Sequence, residues 1–387
     1  MKPSTALRLA VQGAKVLTPQ GWIQEATVLI EDGQFVCIDQ AMKPSGYLAI
    51  DATGLWMLPG MVDIHGDAFE RMICPRPGVN FPLEMAIADN DRTLLAAGIT
   101  TFFYSITDSF EPGLRSRDTL RQLVDIVLNP QTGLQVNSRI HVRHEQANTD
   151  CYDELAHWLE TGHIHLLSLN NHLPDAIDDS SVARYIQGLM QRIKRSETEV
   201  RTMIEAAMAR QEDGLQQLEQ LVKTAHQVGV PVASHDDESD ADVATSERRG
   251  VAIAEFPASI ALAAKSRDYG AAVLMGAPNL VRGGSHVGYM SVAAAAEAEV
   301  LDCLCSDYHY PSLFHAPFKL AELGLMPFEA AWKVVSTHPA NAAGIGDSKG
   351  AIAPGLDADF LLVKPNQSLP SAIATVYIKG QDVARYA

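Results

Sequence analysis

No apolar run in this sequence reaches membrane-spanning length, and Met1 to Gln12 lack the long apolar core of a signal peptide. A soluble, cytoplasmic protein with no membrane partner is therefore expected. Cysteine is scarce and odd in number: Cys37, Cys74, Cys151, Cys303 and Cys305 have no framework spacing and no Cys-x-x-Cys pair. That excludes a disulfide scaffold and leaves small buried thiols. Positive charge is also short, with 30 Lys and Arg against 47 Asp and Glu, a formal net charge of −17. Nonspecific binding of nucleic acid needs a basic footprint, which this chain lacks. An acidic chain still binds a small anion wherever Arg, Lys, His, backbone N–H groups and metal ions cluster locally.

What is present is a globular composition, 47% hydrophobic and 20% charged over 387 residues, enough for a large α/β barrel with an appendage. Both ends read as short strands and turns. Thr27-Val28-Leu29-Ile30 and Phe35-Val36-Cys37-Ile38 flank Asp32-Gly33, a strong hairpin signal. Phe360-Leu361-Leu362-Val363 and Thr375-Val376-Tyr377-Ile378, followed by the turn Lys379-Gly380, repeat that texture near the other end. A small β-sandwich domain from residues 1–57 and 350–387, structural in role, is expected. The middle, 58–349, alternates short apolar strands with longer helical patterns, as a parallel sheet with crossover helices does. Candidate strands end near His65, Phe103, Glu145, His172, His235, Glu255, Met275 and Asp307. Eight such units predict a TIM-like (β/α)8 barrel, whose chemistry sits at strand C-terminal ends. From Ser180 to Val228 a long charged stretch breaks the rhythm and predicts two helices in an excursion at about 180–228. It is either a solvated projection, an oligomer contact or a lid.

The strand ends carry the chemistry. Met61-Val62-Asp63-Ile64 runs into His65-Gly66-Asp67. Side chains two apart on a strand share a face, so His65 and Asp67 converge as two metal ligands would. His141, Arg143 and Glu145 alternate onto one face, and a carboxylate such as Glu145 can bridge two ions. The plainer alternative is a Glu145–Arg143 salt bridge. His172 and His235 each follow an apolar strand, and neutral imidazole is a good nitrogen donor. Lone histidines are more often satisfied core or surface residues, and it is the repetition at strand ends that argues for ligation. Asp236, Asp237 and Glu238 either orient a ring or form a solvated acidic turn. Asp307 ends the last strand, faces the first across the barrel closure, and is placed to bind metal and take a proton from water. Its alternative is a turn or N-cap role before Pro311.

A glycine-rich stretch, Arg282-Gly283-Gly284-Ser285-His286, offers backbone N–H groups and side-chain donors to an anion. It lacks the Gly-Lys-Ser/Thr ending of a P-loop. Arg71, Arg76, Arg143 and Lys319 are further candidates for positive charge near the barrel mouth.

These residues resemble the amidohydrolase superfamily. Pro59-Gly60 ahead of Asp63-Ile64-His65, Ala97-Gly98-Ile99-Thr100-Thr101 and an Asp at strand eight carry that likeness, with Asp67 where the superfamily usually has a second His. More narrowly, the chain is similar to the α-D-ribose 1-methylphosphonate 5-triphosphate diphosphatases of the carbon–phosphorus lyase pathway. Pro75-Arg76-Pro77, Leu167-Ser168-Leu169, Ala233-Ser234-His235-Asp236-Asp237, Ala254-Glu255-Phe256-Pro257, Leu274 to Asn279, Val281 to His286 and Ser306-Asp307-Tyr308 carry this second likeness over nearly the whole chain. The departures are Gly66 and Ala68 where that family has Thr and Asn, Asn170-Asn171 before His172 where it has Met-Asp, and His309-Tyr310 before Pro311.

The resemblance implies a divalent-metal hydrolase with one or two ions, expected as Zn with Mn or Fe as alternatives, acting on a small anionic phosphorylated substrate. Glu145 would bridge, with His65, Asp67 and Asp307 on one ion and His172 and His235 on the other. The implied reaction is attack of water on the α-phosphorus of the 5-triphosphate with release of pyrophosphate, Asp307 moving the proton. Two rivals remain: hydrolysis or deamination at a C–N bond by the same donors, and a metal-free barrel used as a scaffold. Self-association into a homo-oligomer stays open.

Overall fold

Eight apolar strands in the middle of the chain pair side by side in sequence order, all parallel, and curl into a barrel. They are β1 (Met61–Gly66), β2 (Ile99–Asp108), β3 (Asn137–Glu145), β4 (Leu166–Asn170), β5 (Val232–His235), β6 (Ile253–Glu255), β7 (Ala272–Gly276) and β8 (Cys303–Cys305). The computed structural model describes residues 8–40, 45–150, 152–173, 180–284, 288–365 and 372–386, so Cys151, Ser285 and His286 lie outside the described residues. Alternation along each strand sorts the side chains. Ile140, Val142, Leu167, Val232, Val273 and Leu304 point out into the layer of helices. Phe103, Leu166, Ala233, Ile253, Leu274 and Cys303 fill the barrel floor.

The strand ends differ from expectation in three places. β2 continues past Phe103 to Asp108, because Ser105 and Thr107 are polar but buried and still alternate inward. His172 and Asp307 each lie two residues past the end of their strand, in the loop rather than on the ladder. The barrel closes through that second loop. Asp307 donates its N–H to the His65 carbonyl and Asp67 donates to the Asp307 carbonyl, both at 3.0 Å.

Both chain ends build one mixed sheet of eight strands. Trp56–Pro59 is its centre, parallel to Arg8–Thr18 on one side and antiparallel to Phe360–Val363 on the other. The Asp32-Gly33 hairpin forms as expected, with φ of 49° and 83° at its two turn residues. This sheet has its own core, around Val11, Val28, Phe35, Met57 and Phe360. It meets the barrel through an aromatic seam in which Trp22 and Trp56 pack on Phe328. Trp332 donates its indole N–H to the Pro59 carbonyl at 3.1 Å.

The excursion after β4 holds three helices rather than two: α1 (Ser180–Ile193), α2 (Glu197–Met208) and α3 (Gln211–Gln227). Ser196 and Glu199 close a capping box that starts α2. The polar run Arg210-Gln211-Glu212-Asp213 separates the apolar residues of α2 from those of α3, and the two helices face different surfaces. Val200, Ile204 and Ala207 of α2 pack with α1, whereas Leu218, Leu221 and Val222 of α3 join the main barrel core. Among the described residues no helix is long and apolar enough to cross a membrane.

Lys349 is 3% exposed, and its Nζ lies 2.6 Å from Asp359 and 2.8 Å from Asp357. Asp359 also accepts the Lys379 backbone N–H, so this cluster ties the last barrel loop to the terminal sheet. Replacing Lys349 by Met strands two carboxylates and should cost about 3–5 kcal/mol of stability. Lys319→Met, which breaks a solvent-facing pair with Glu322, should cost within about 1 kcal/mol. Urea unfolding midpoints of both variants check this, and equal losses would refute a stabilising role for the Lys349 cluster.

Candidate metal centre

β1 carries a bulge. Asp63 pairs with Phe102 and Gly66 with Tyr104, so three steps on β1 match two on β2. The bulge turns consecutive side chains, Ile64 and His65, toward the barrel interior. His65 and Asp67 still line one cleft, but they reach it through a bulge and a loop rather than by simple alternation. Gly66 between them is a close approach: a Cβ there would come within 2.6 Å of the Phe102 ring.

The deepest polar layer is a carboxylate with two imidazoles. Glu255, on β6 and fully buried, has Oε1 at 2.8 Å from His65 Nδ1 and 3.8 Å from His141 Nε2. Ser168 donates to its other oxygen at 2.8 Å. Burial alone would raise the Glu255 carboxyl, but the adjoining His65 charge and hydrogen bond more than offset it and hold the group well below the usual carboxylate range. The same pairing raises His65 against the opposing effect of its burial. Burial dominates at His141 and pushes it down to about 3, so this imidazole is neutral. Its Nδ1 lies 3.1 Å from the Ile64 carbonyl, which can only accept, so Nδ1 carries the hydrogen and Nε2 the lone pair. That Nε2 is buried without a partner among the described residues and points at an ionised carboxylate.

A second donor group lies nearer the mouth. His172, His235 and Asp236 place one donor atom each within 4.8 Å of one another. Glu145 binds the His172 ring at Nδ1 and accepts the His172 backbone N–H at 3.2 Å. Its close partner is therefore His172, not Arg143. Arg143 instead donates to Asp67 at 3.4 Å and to His235 Nε2 at 3.2 Å, a guanidinium set among the donors. Asp236 Oδ2 stands 3.0 Å from His235 Nδ1, orienting that ring. Asp236, Phe256 and Asp307, each just past a strand end, have φ of 56°, 57° and 54°. Such backbone is strained for a bulky side chain and collects at functional sites. Phe256 packs edge-on against both His65 and His235, with ring centroids 4.9 and 5.3 Å away.

The structure thus brings His172 and His235 together as expected, next to Glu145. It groups His65 with His141 and Glu255, and places Asp67 and Asp307 along the same cleft. In the strand pattern Glu255 reads only as a further acid at a strand end and His141 as a face-mate of Arg143 and Glu145, and neither is named as a ligand there. Phe256 falls in the motif Ala254-Glu255-Phe256-Pro257 that carries the family likeness, but nothing in that motif gives it a role. The donor chemistry fits divalent ions: two sets mixing imidazole and carboxylate, one containing an unpartnered buried lone pair beside a negative charge.

The expected anion loop is built otherwise. The Gly283 and Gly284 N–H groups donate to the Leu280 and Asn279 carbonyls and cap the helix Ala277–Arg282, so they are not offered to a ligand. Arg282 is exposed and donates to the Tyr308 hydroxyl at the rim of the cleft. Arg71 reaches the Tyr308 carbonyl from the other side. Arg76 sits in an exposed turn and is not among the residues lining the cleft, and Lys319 pairs with Glu322 on a distant helix.

The sequence pattern of the Amidohydrolase family matches residues 56–383. The chain is 31% identical over 320 residues to the α-D-ribose 1-methylphosphonate 5-triphosphate diphosphatase of Escherichia coli (strain K12), covering 81% of this chain and 84% of the relative. A stretch of 97 residues is 33% identical to a dihydroorotase of Citrifermentans bemidjiense, 24% of this chain and 21% of that one. In three dimensions it resembles a prolidase complexed with N-methylphosphonate-L-proline, with a TM-score of 0.66 at 16% identity over 98% of this chain and 100% of the other. A β-aspartyl dipeptidase from Fervidobacterium islandicum AW-1 gives 0.65 at 15% identity, covering 98% and 97%. At those identities the likeness carries the fold alone.

Glu255→Gln removes the charge that raises His65 and leaves burial to act by itself. The His65 imidazole should then titrate below roughly 6.5 instead of above it. Histidine ¹H–¹⁵N spectra of the metal-free protein across pH measure this directly; an unmoved His65 titration would rule out the pairing.

Proposed function

The chain belongs to the amidohydrolase family and is a hydrolase, and from that premise we propose that it cleaves α-D-ribose 1-methylphosphonate 5-triphosphate and releases pyrophosphate. The observation that carries this reading is the 31% identity over 81% of the chain to a diphosphatase of that specificity. A second support is local charge. In a chain of net charge −17, Arg143 lines the cleft, and Arg71 and Arg282 bond Tyr308 at its rim.

The residues that would hold divalent ions are His65, Asp67 and Asp307 on one side and His172 and His235 on the other, with Glu145 between. Ions bound there act as Lewis acids, neutralising phosphoryl charge and lowering the pKa of water toward neutrality. The chain's own residues do the rest. Glu255 takes the Nδ1 hydrogen of His65 and thereby fixes Nε2 as the nitrogen that ring can offer to the cleft. Asp236, with Oδ2 3.0 Å from His235 Nδ1, sets negative charge beside that ring. Asp307, turned into the cleft opposite Gly276, accepts the proton of the attacking water. Arg143 and Arg282 supply fixed positive charge where negative charge grows on the phosphoryl oxygens. Pyrophosphate leaves readily, so no strong general acid is required. The rival reaction is hydrolysis of a cyclic amide, favoured by the short match to a dihydroorotase.

Pyrophosphate release from the metal-loaded protein, set against a panel of cyclic amides and dipeptides, separates the two; turnover of amides alone would overturn the diphosphatase reading. Asp307→Asn is expected to lower kcat about 10²–10⁴-fold. An unchanged kcat would remove Asp307 from the proton path. Dialysis against a chelator should abolish turnover, and re-adding Zn, Mn or Fe singly should identify the ion that restores it.

A further inference from the structure

Helix α1 has two faces. Val182, Ile186 and Leu189 seat it on Ala147 and Leu173, the loops after β3 and β4. Tyr185, Gly188 and Arg192 occupy the other face, at the i, i+3, i+7 spacing of one stripe, and line a chamber of about 590 Å³. The facing wall is Glu145 and His172 of the metal centre, and Arg143 and Tyr289 line both this chamber and the cleft at His65. Helix α1 of the excursion is therefore a wall of this chamber.

Gly188 is the informative position. Glycine inside a helix costs about 1 kcal/mol relative to alanine. A Cβ there would meet only the end of Arg192, at an ordinary 3.6 Å, so packing does not demand its absence. What the missing side chain preserves is open space in the chamber. The lining chemistry narrows the occupant. Arg192 is held against Glu111 by two hydrogen bonds of 3.1 and 2.9 Å, and Arg115 against Glu70 at 3.0 Å. Phe110 and Tyr185 add aromatic surface. Glu111 and Glu238 would repel a polyphosphate but accept hydrogen bonds from hydroxyls, while the guanidinium groups suit one tetrahedral anion.

We propose that this chamber holds the part of the substrate that does not react: a ribose carrying a single phosphonate, with the sugar hydroxyls on Glu111 and Tyr185 and the phosphonate on Arg192 and Arg115. This rests on the diphosphatase reading for the identity of the substrate but makes its own claim about where one end binds. The triphosphate end then extends toward Tyr308 and Arg282, across the metal centre.

The test uses the full-length, metal-loaded protein and two triphosphates, α-D-ribose 1-methylphosphonate 5-triphosphate and D-ribose 5-triphosphate. The wild type should prefer the first in kcat/KM. Gly188→Leu, which fills the chamber, and Arg192→Gln should each shrink that preference about tenfold or more, with metal content and melting temperature near wild type. Gly188→Ala, which fits the space, guards against misfolding of the larger variant and should keep most of the preference. Calorimetric binding of α-D-ribose 1-methylphosphonate gives a separate readout, expected to weaken by a similar factor in Gly188→Leu and Arg192→Gln. If the wild type hydrolyses neither triphosphate, the diphosphatase reading fails and calorimetry alone decides on the chamber. Equal losses on both triphosphates, or unaltered binding of the ribose phosphonate in both variants, overturn the proposal.

Discussion

An ionised carboxylate sealed inside a barrel costs several kcal/mol unless charge and hydrogen bonds return it. Glu255 puts such a group at the centre of this molecule. Its compensation comes from two other strands: His65 on β1 and Ser168 on β4. The Glu255 contact draws the His65 hydrogen to Nδ1, as the Ile64 carbonyl does for His141, and so decides which lone pairs face the cleft. The deep layer is a structural necessity and a chemical template at once. Loss of His65 or Ser168 would leave the buried Glu255 charge short of a partner.

Fold and site also share their backbone. The two hydrogen bonds that close the barrel run between His65, Asp67 and Asp307, residues whose side chains line the cleft. Asp236, Phe256 and Asp307 then leave their strands in left-handed conformations. Strain of roughly 1–3 kcal/mol at each is tolerable because the surrounding ladder fixes the geometry. The result holds donors from six strand ends and loops with little freedom to drift, which is what binding compact cations requires.

The barrel was legible because each strand is apolar, short and followed by a helical pattern, and because His65, Glu145, His235 and Asp307 recur where such strands end. Alternation correctly placed His141, Arg143 and Glu145 on one face. Three things were not legible. The β1 bulge has no residue signature, since Asp63-Ile64-His65-Gly66 reads as continuous strand. Partner choice among buried charges depends on distances across the barrel, so the salt bridge to Arg143 that spacing offered as the plainer alternative for Glu145 gives way to His172. The paired glycines 283 and 284 looked like an anion loop but cap a short helix, a role with the same composition. The departure at Gly66 has a spatial reason too: the Phe102 ring fills the room a side chain would need.

The terminal sheet has a temporal side. Trp56–Pro59 obtains one of its two neighbours, Phe360–Val363, only after some three hundred further residues have been made. At translation rates of 5–20 residues per second the nascent chain carries that apolar strand edge open for ~15–60 s. Open edges of this kind are templates for pairing with another chain. A ribosome-bound chain that has finished its barrel therefore still has the Trp56–Pro59 edge open, although Trp22, Trp56 and Phe328 are already made. Holdase protection late in synthesis would matter more for this architecture than for a barrel whose appendage is complete at one end.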